Sequence, residues 1–161
     1  MTEQIKKEEI KKKLQEIRHS FYAYRNGIVS ESLKKLYPAD AMIFGLTVPQ
    51  FNEIAARYGK YLELGRELWK EKNIRESRLL ALYILPPELI DEGEAKSMIR
   101  DVRSIEEAEM LAFKVLRNLK DANLILEKLS EPEKEFEELN QRDPVRYCLE
   151  MFARNLQQIR K

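Results

Sequence analysis

Arg78 and Glu109 are the charged side chains in this chain best placed to do chemistry, and the interval between them, 31 residues, is also the interval of an internal repeat. On a helical wheel at about 100° per residue, the segment from Ile105 to Leu119 has an apolar sector of Ile105, Ala108, Leu111, Ala112, Val115, Leu116 and Leu119. Glu109 falls inside that sector, between Leu116 and Phe113, and Arg78 falls in the equivalent place on the segment from Ile74, between Leu85 and Leu82. A carboxylate on an apolar face needs a cationic partner or a shifted pKa, because an unpaired buried charge is too costly. Two roles are open. Arg78 and Glu109 form an ion pair that sets the register of neighbouring helices, or Glu109 is held ionised to act on a ligand. Other catalytic devices are scarce. His19 is the only histidine and Cys148 the only cysteine, so the chain alone builds neither a Cys/His metal site nor a disulfide, and a Cys–His nucleophile pair has no supporting motif. No metal and no cofactor is expected.

The elements that must position these groups are helical. Glu76-Ser-Arg-Leu-Leu-Ala-Leu-Tyr-Ile-Leu85 and Glu107-Ala-Glu-Met-Leu-Ala-Phe-Lys-Val-Leu116 share the pattern Glu-x3-Leu-Ala-x3-Leu. An offset of this size accommodates a helix, a turn, a second helix and a turn, which points to stacked α-hairpins. Helix punctuation is clear along the chain. A first helix is expected from Thr2 to Asn26, stopped by a left-handed cap at Gly27, and a shorter one from Ser30 to Leu36. Thr47-Val-Pro-Gln50 is a capping box opening a helix that ends at Gly59. Helices over Tyr61–Lys72 and Ile74–Leu85 follow, the second closed by Pro86-Pro87. Ser104-Ile-Glu-Glu107 is a second capping box, starting a helix from Ile105 to about Leu119. Short helices begin at Asp121 and Ser130, and Asp143-Pro144 opens the last, with an apolar face of Val145, Leu149, Phe152, Leu156 and Ile159. No segment alternates with period two for long enough to be a strand. The expectation is an all-α fold of eight or nine helices, forming one domain over residues 1–161.

Composition narrows the functional classes. With 35% charged and 43% apolar residues, the chain is that of a folded, helix-rich protein rather than a disordered one. No apolar run approaches membrane-spanning length and the N-terminus lacks a signal peptide's apolar centre, so a cytoplasmic protein with no membrane partner is expected. The net charge of +1 argues against indiscriminate nucleic-acid binding. The charge is uneven, however. Lys6, Lys7, Lys11, Lys12, Lys13, Arg18 and Arg25 make the first helix basic, whereas Glu131, Glu133, Glu135, Glu137 and Glu138 make a late segment acidic that DNA would avoid. Both also read as ordinary solvated faces.

Four segments carry a family resemblance: Phe44-Gly-Leu-Thr-Val-Pro-Gln-Phe-Asn-Glu-Ile-Ala55, Glu67-Leu-Trp-Lys70, Ile74-Arg-Glu-Ser-Arg-Leu-Leu-Ala81 and Asp101-Val-Arg-Ser-Ile105. In order and spacing, over roughly residues 20–120, they resemble the DNA alkylation repair family of AlkD-type alkylpurine DNA glycosylases. The resemblance implies an α-α superhelix of HEAT/ARM-like repeats, a concave DNA-facing surface, and removal of cationic alkylated purines such as 3-methyladenine and 7-methylguanine from double-stranded DNA. It also implies a site. In that family a tryptophan and, four residues later, an aspartate pack against the lesion's sugar, and the carboxylate stabilises the developing oxocarbenium ion and positions water. These positions correspond here to Ile105 and Glu109, with Arg78 as a neighbour. Glu109 keeps the carboxylate, whereas Ile105 lacks the aromatic face, a cation–π contribution of about 0.5–2 kcal/mol. A later arginine of the family, which grips the backbone near the lesion, corresponds to Arg146 in Pro144-Val-Arg-Tyr-Cys148. Members continue through further repeats bearing another active-site tryptophan, which this chain, running to Lys161, does not supply. Trp69, the only tryptophan, is read as core.

Three readings follow from different classes. The first is a DNA-binding relative that excises alkylpurines through Glu109, with activity retained or lost. The second is a non-catalytic helical-repeat module for a protein or peptide partner, or a homodimer. The third is another hydrolase using Glu109 with an unrecognised acid. Salt-sensitive DNA binding separates the first from the second.

Overall fold

The computed structural model describes residues 2–130 and 143–160. Among these, nine α-helices and three short 3-10 turns account for the regular structure, and the sole β-type pairing is an isolated bridge between Met42 and Ile74. The all-α expectation is met. The chain divides into two compact units, residues 1–85 and 86–161. No described helix is long and apolar enough to cross a membrane.

The first unit contains α1 (Glu3–Tyr24), α2 (Gly27–Leu33), α3 (Val48–Tyr58), α4 (Leu62–Lys70) and α5 (Arg75–Ile84). Gly27 does not cap α1 as expected. It opens α2 instead, because the Asn26 side chain accepts hydrogen bonds from the N–H groups of Ile28 and Val29 at 3.1 and 3.2 Å and so makes Asn26 an N-cap. The box at Thr47 forms, with the Gln50 side chain accepting the Thr47 N–H at 2.9 Å, and α3 runs to Tyr58 with Gly59 as its C-cap. α4 and α5 make an antiparallel hairpin, tied where the Tyr61 N–H reaches the Ile84 carbonyl at 3.0 Å. Gly65 permits their close approach, since a Cβ there would lie 2.6 Å from a methyl of Leu85. α5 is the core of the unit: every one of its residues is buried.

The second unit contains α6 (Glu92–Arg100), α7 (Ile105–Lys114), α8 (Ala122–Ser130) and α9 (Pro144–Arg160). α6 was not anticipated from the sequence, although Asp91 caps it by accepting the Glu94 N–H at 2.8 Å. α9 packs chiefly against α7, burying Cys148, Phe152 and Leu156, while Ile159 at the end of its expected apolar face is exposed. The helix expected from Ser130 and the acidic run from Glu131 to Glu138 lie outside the described residues.

Burial pushes the Cys148 thiol well above its ordinary value of 9.0. The folded protein therefore keeps a proton that the unfolded chain releases. This group's contribution to stability is complete below pH 9.0 and falls above it by about 1.4 kcal/mol per pH unit. The native protein is expected to resist a maleimide at pH 8 and to take up one equivalent on unfolding in urea. Rapid labelling of native protein would contradict the buried placement of Cys148.

Candidate functional site

The repeated pattern marks buried positions in both helices. Glu76, Leu80, Ala81 and Leu85, and their counterparts Glu107, Leu111, Ala112 and Leu116, are all buried. The two leading glutamates are therefore structural anchors rather than reagents. Glu76 accepts hydrogen bonds from the N–H groups of Phe44, Gly45 and Leu46 at 2.8, 3.0 and 3.4 Å, and pairs with Arg75 at 2.6 Å. Glu107 accepts the Arg103 N–H at 3.3 Å, while its own N–H donates to the Ser104 hydroxyl at 3.0 Å. The second box is thus shifted by one residue at its glutamate end. The sequence marks Glu107 as a cap, and its burial is the additional finding.

Arg78 is fully buried inside the first unit. Its guanidinium lies 3.5 Å from the centre of the Trp69 ring and donates to the Trp69 carbonyl at 2.7 Å. Trp69 is buried, in accord with its core reading. With no exposed surface, Arg78 braces the α4–α5 hairpin and does not present a group to solvent.

Glu109 is placed differently from the wheel expectation: it is exposed. The cause is the end of α7. A single helix continuing through Leu116 and Leu119 puts Glu109 on the apolar face, but α7 stops at Lys114 and Leu116–Asn118 is a 3-10 turn. Within the true helix the buried residues are Glu107, Ala108, Leu111 and Ala112, so the buried arc is centred away from Glu109. What remains open is a single stripe. Of the residues from Ile105 to Lys114, the exposed ones are Ile105, Glu109 and Phe113, one per turn. Ile105 is 38% and Phe113 44% exposed. The stripe thus reads apolar, carboxylate, aromatic along about 12 Å of helix.

The aromatic end of this stripe carries cations. The Arg117 guanidinium lies 3.8 Å from the centre of the Phe113 ring, and the Lys114 ammonium lies 6.0 Å from it. Neither Phe113 nor Arg117 was singled out from the sequence. The usable signal was the spacing of Phe113 and Arg117 at four and eight residues beyond Glu109. Arg146, the arginine suggested by resemblance, stands in the first turn of α9, partly exposed, 3.7 Å from Glu150.

The model for a family described as DNA alkylation repair enzyme matches residues 17–140, most of the chain. No curated protein and no solved structure matches it.

Removing the Glu76 charge takes the buried acceptor away from the Phe44, Gly45 and Leu46 N–H groups and breaks its buried pair with Arg75. Glu76→Gln is expected to lower unfolding free energy by about 3 kcal/mol or more, whereas Glu109→Gln, at an exposed helix position, is expected to change it by less than about 0.5 kcal/mol. Urea denaturation checks both. Comparable losses in the two variants would mean that Glu109 is a structural residue after all.

Proposed function

Because the chain belongs to the DNA alkylation repair enzyme family, we propose that it binds duplex DNA along the open stripe of α7 and cleaves the N-glycosidic bond of cationic alkylated purines such as 3-methyladenine and 7-methylguanine. The observation that carries this reading is the exposure of Glu109, midway along the stripe, at the position where the family resemblance puts its carboxylate.

The chemistry asks little of the protein. A purine alkylated at N3 or N7 is positively charged and leaves as a neutral base, taking the electron pair of the bond to C1′. The sugar is left as an oxocarbenium ion, water adds at C1′ and loses a proton, and an abasic site remains. A carboxylate beside C1′ stabilises the cation and orients the water. Glu109 is in solvent in the free protein, where a charge acts weakly. Bound DNA would cover the stripe, exclude water and strengthen the interaction. Ile105, one turn earlier, offers packing to the sugar without a π face. Arg146 would hold the backbone nearby.

One observation favours the second reading, a protein- or peptide-binding module. α2 buries none of its residues, and Ile28, Leu36 and Met42 are exposed in the first unit.

The deciding assay is release of 3-methyladenine and 7-methylguanine from methylated duplex DNA. Release by the parent that falls by about 10²-fold or more in Glu109→Gln is the expected result. Absence of release by folded parent protein, or equal release by the variant, would overturn the proposal. Ile105→Trp is expected to raise the parent rate by roughly 2- to 30-fold, the equivalent of one cation–π contact.

A further inference from the structure

We propose that Arg117, held on the ring of Phe113, takes a backbone phosphate of duplex DNA next to the nucleotide that Glu109 faces. The inference rests on the DNA-binding reading above and adds to it a residue pair that the family resemblance did not indicate.

The first ground is that Arg117 is uncommitted. Among the described residues no carboxylate pairs with it, and its Nε is buried without a hydrogen-bond acceptor. The ordinary reason for an arginine just past a helix end is to cap the terminal carbonyls. That task belongs to Asn118 here, whose side-chain amide donates to the carbonyls of Phe113 and Lys114 at 3.4 and 3.1 Å. Arg78 is the instructive contrast. It also stacks on an aromatic ring, yet it is fully buried and gives an N–H to a carbonyl. One stacked arginine closes a hairpin, and the other remains partly open to solvent.

The second ground is pre-organisation. Stacking uses the flat face of a guanidinium, and with Nε of Arg117 buried its two terminal nitrogens are the donors left for a phosphate's two oxygens. The ring holds the long side chain in one place, so less freedom is lost on binding. The Phe113 ring is 44% exposed, so its face is open to such a stack. As a platform for Arg117 it has a purpose.

The third ground is position. Arg117 folds back over a residue one turn nearer the start of α7, which brings its charge to the level of Phe113, about 6 Å along the axis from Glu109. A carboxylate on a DNA-facing stripe repels phosphates, and a cation one turn away offsets that repulsion. Arg146, by contrast, already has Glu150 beside it.

The test is equilibrium binding to an unmodified duplex oligonucleotide at several salt concentrations, with parent, Arg117→Gln, Arg117→Lys and Phe113→Leu, each checked for folding by circular dichroism. Parent affinity is expected to fall linearly with salt on logarithmic axes. Arg117→Gln should lower the magnitude of that slope by about 0.9, the contribution of one phosphate. Arg117→Lys, which keeps the charge and loses the fork, should keep the slope and bind several-fold more weakly, and Phe113→Leu should do the same. An unchanged slope in Arg117→Gln, against a salt-sensitive parent, would overturn the role of Arg117 while leaving DNA binding intact. A folded parent whose binding ignores salt would overturn both. Should Arg117→Gln fail to fold, Arg117→Lys and Phe113→Leu decide, with parent-like affinity in both counting against the proposal.

Discussion

A carboxylate sealed from water must collect enough hydrogen bonds to replace its lost hydration, and Glu76 does so by gathering the N–H groups of Phe44, Gly45 and Leu46 around it. This requirement shapes the first unit. The peptide turns at Gly45 with φ of +91°, and a Cβ there would stand 2.5 Å from the Asn26 carbonyl oxygen, so glycine is needed for both conformation and space. The same loop is fastened to its neighbours on either side. The Asn26 N–H reaches the Phe44 carbonyl at 2.8 Å, the Ser30 hydroxyl reaches the Ile43 carbonyl at 2.9 Å, and the Arg75 N–H reaches the Met42 carbonyl at 3.0 Å. The end of α1 and the starts of α2 and α5 therefore meet at one loop. Lose the carboxylate and the N–H groups of Phe44, Gly45 and Leu46 lose their shared acceptor, and the 2.6 Å contact to the buried Arg75 goes with it.

Much of this was legible in the sequence because local rules and tertiary packing agreed. The Thr47 box, Gly59, the twin prolines after Leu85 and the start of α9 at Pro144 are all decided within a few residues of chain, and the family shown by the match over residues 17–140 was legible in the order of four short segments. The repeated Glu-x3-Leu-Ala-x3-Leu pattern identified positions that are buried in both helices. What failed was set by choices between near-equal local solutions. Asn26-Gly27 can end one helix or begin the next, and the Asn26 side chain decides for the second. α6 was missed because its start, Asp91-Glu-Gly-Glu94, resembles a solvated loop.

The end of α7 had the largest consequence for the site. Nothing in Lys114-Val-Leu-Arg117 forbids a helix, and only the observed turn to 3-10 geometry removes Leu116 from the wheel and moves Glu109 from the apolar face to the open one. A carboxylate expected to need a buried partner turns out to be available to a ligand. Arg78 and Glu109, for which the sequence leaves open either an ion pair or a ligand-facing carboxylate, have different placements: Arg78 braces a hairpin from inside, and Glu109 faces outward.

The exposure of one residue per turn on α7 bears on how such a surface changes over time. Positions 105, 109 and 113 are the open side of the helix, but Ile105 and Phe113 are only 38% and 44% exposed and keep part of their apolar surface covered. A substitution at Glu109 is therefore nearly free of stability cost, whereas one at Ile105 or Phe113 gives up the covered part of an apolar side chain. The charge at the middle of the open face can thus be changed in a protein that stays fully folded.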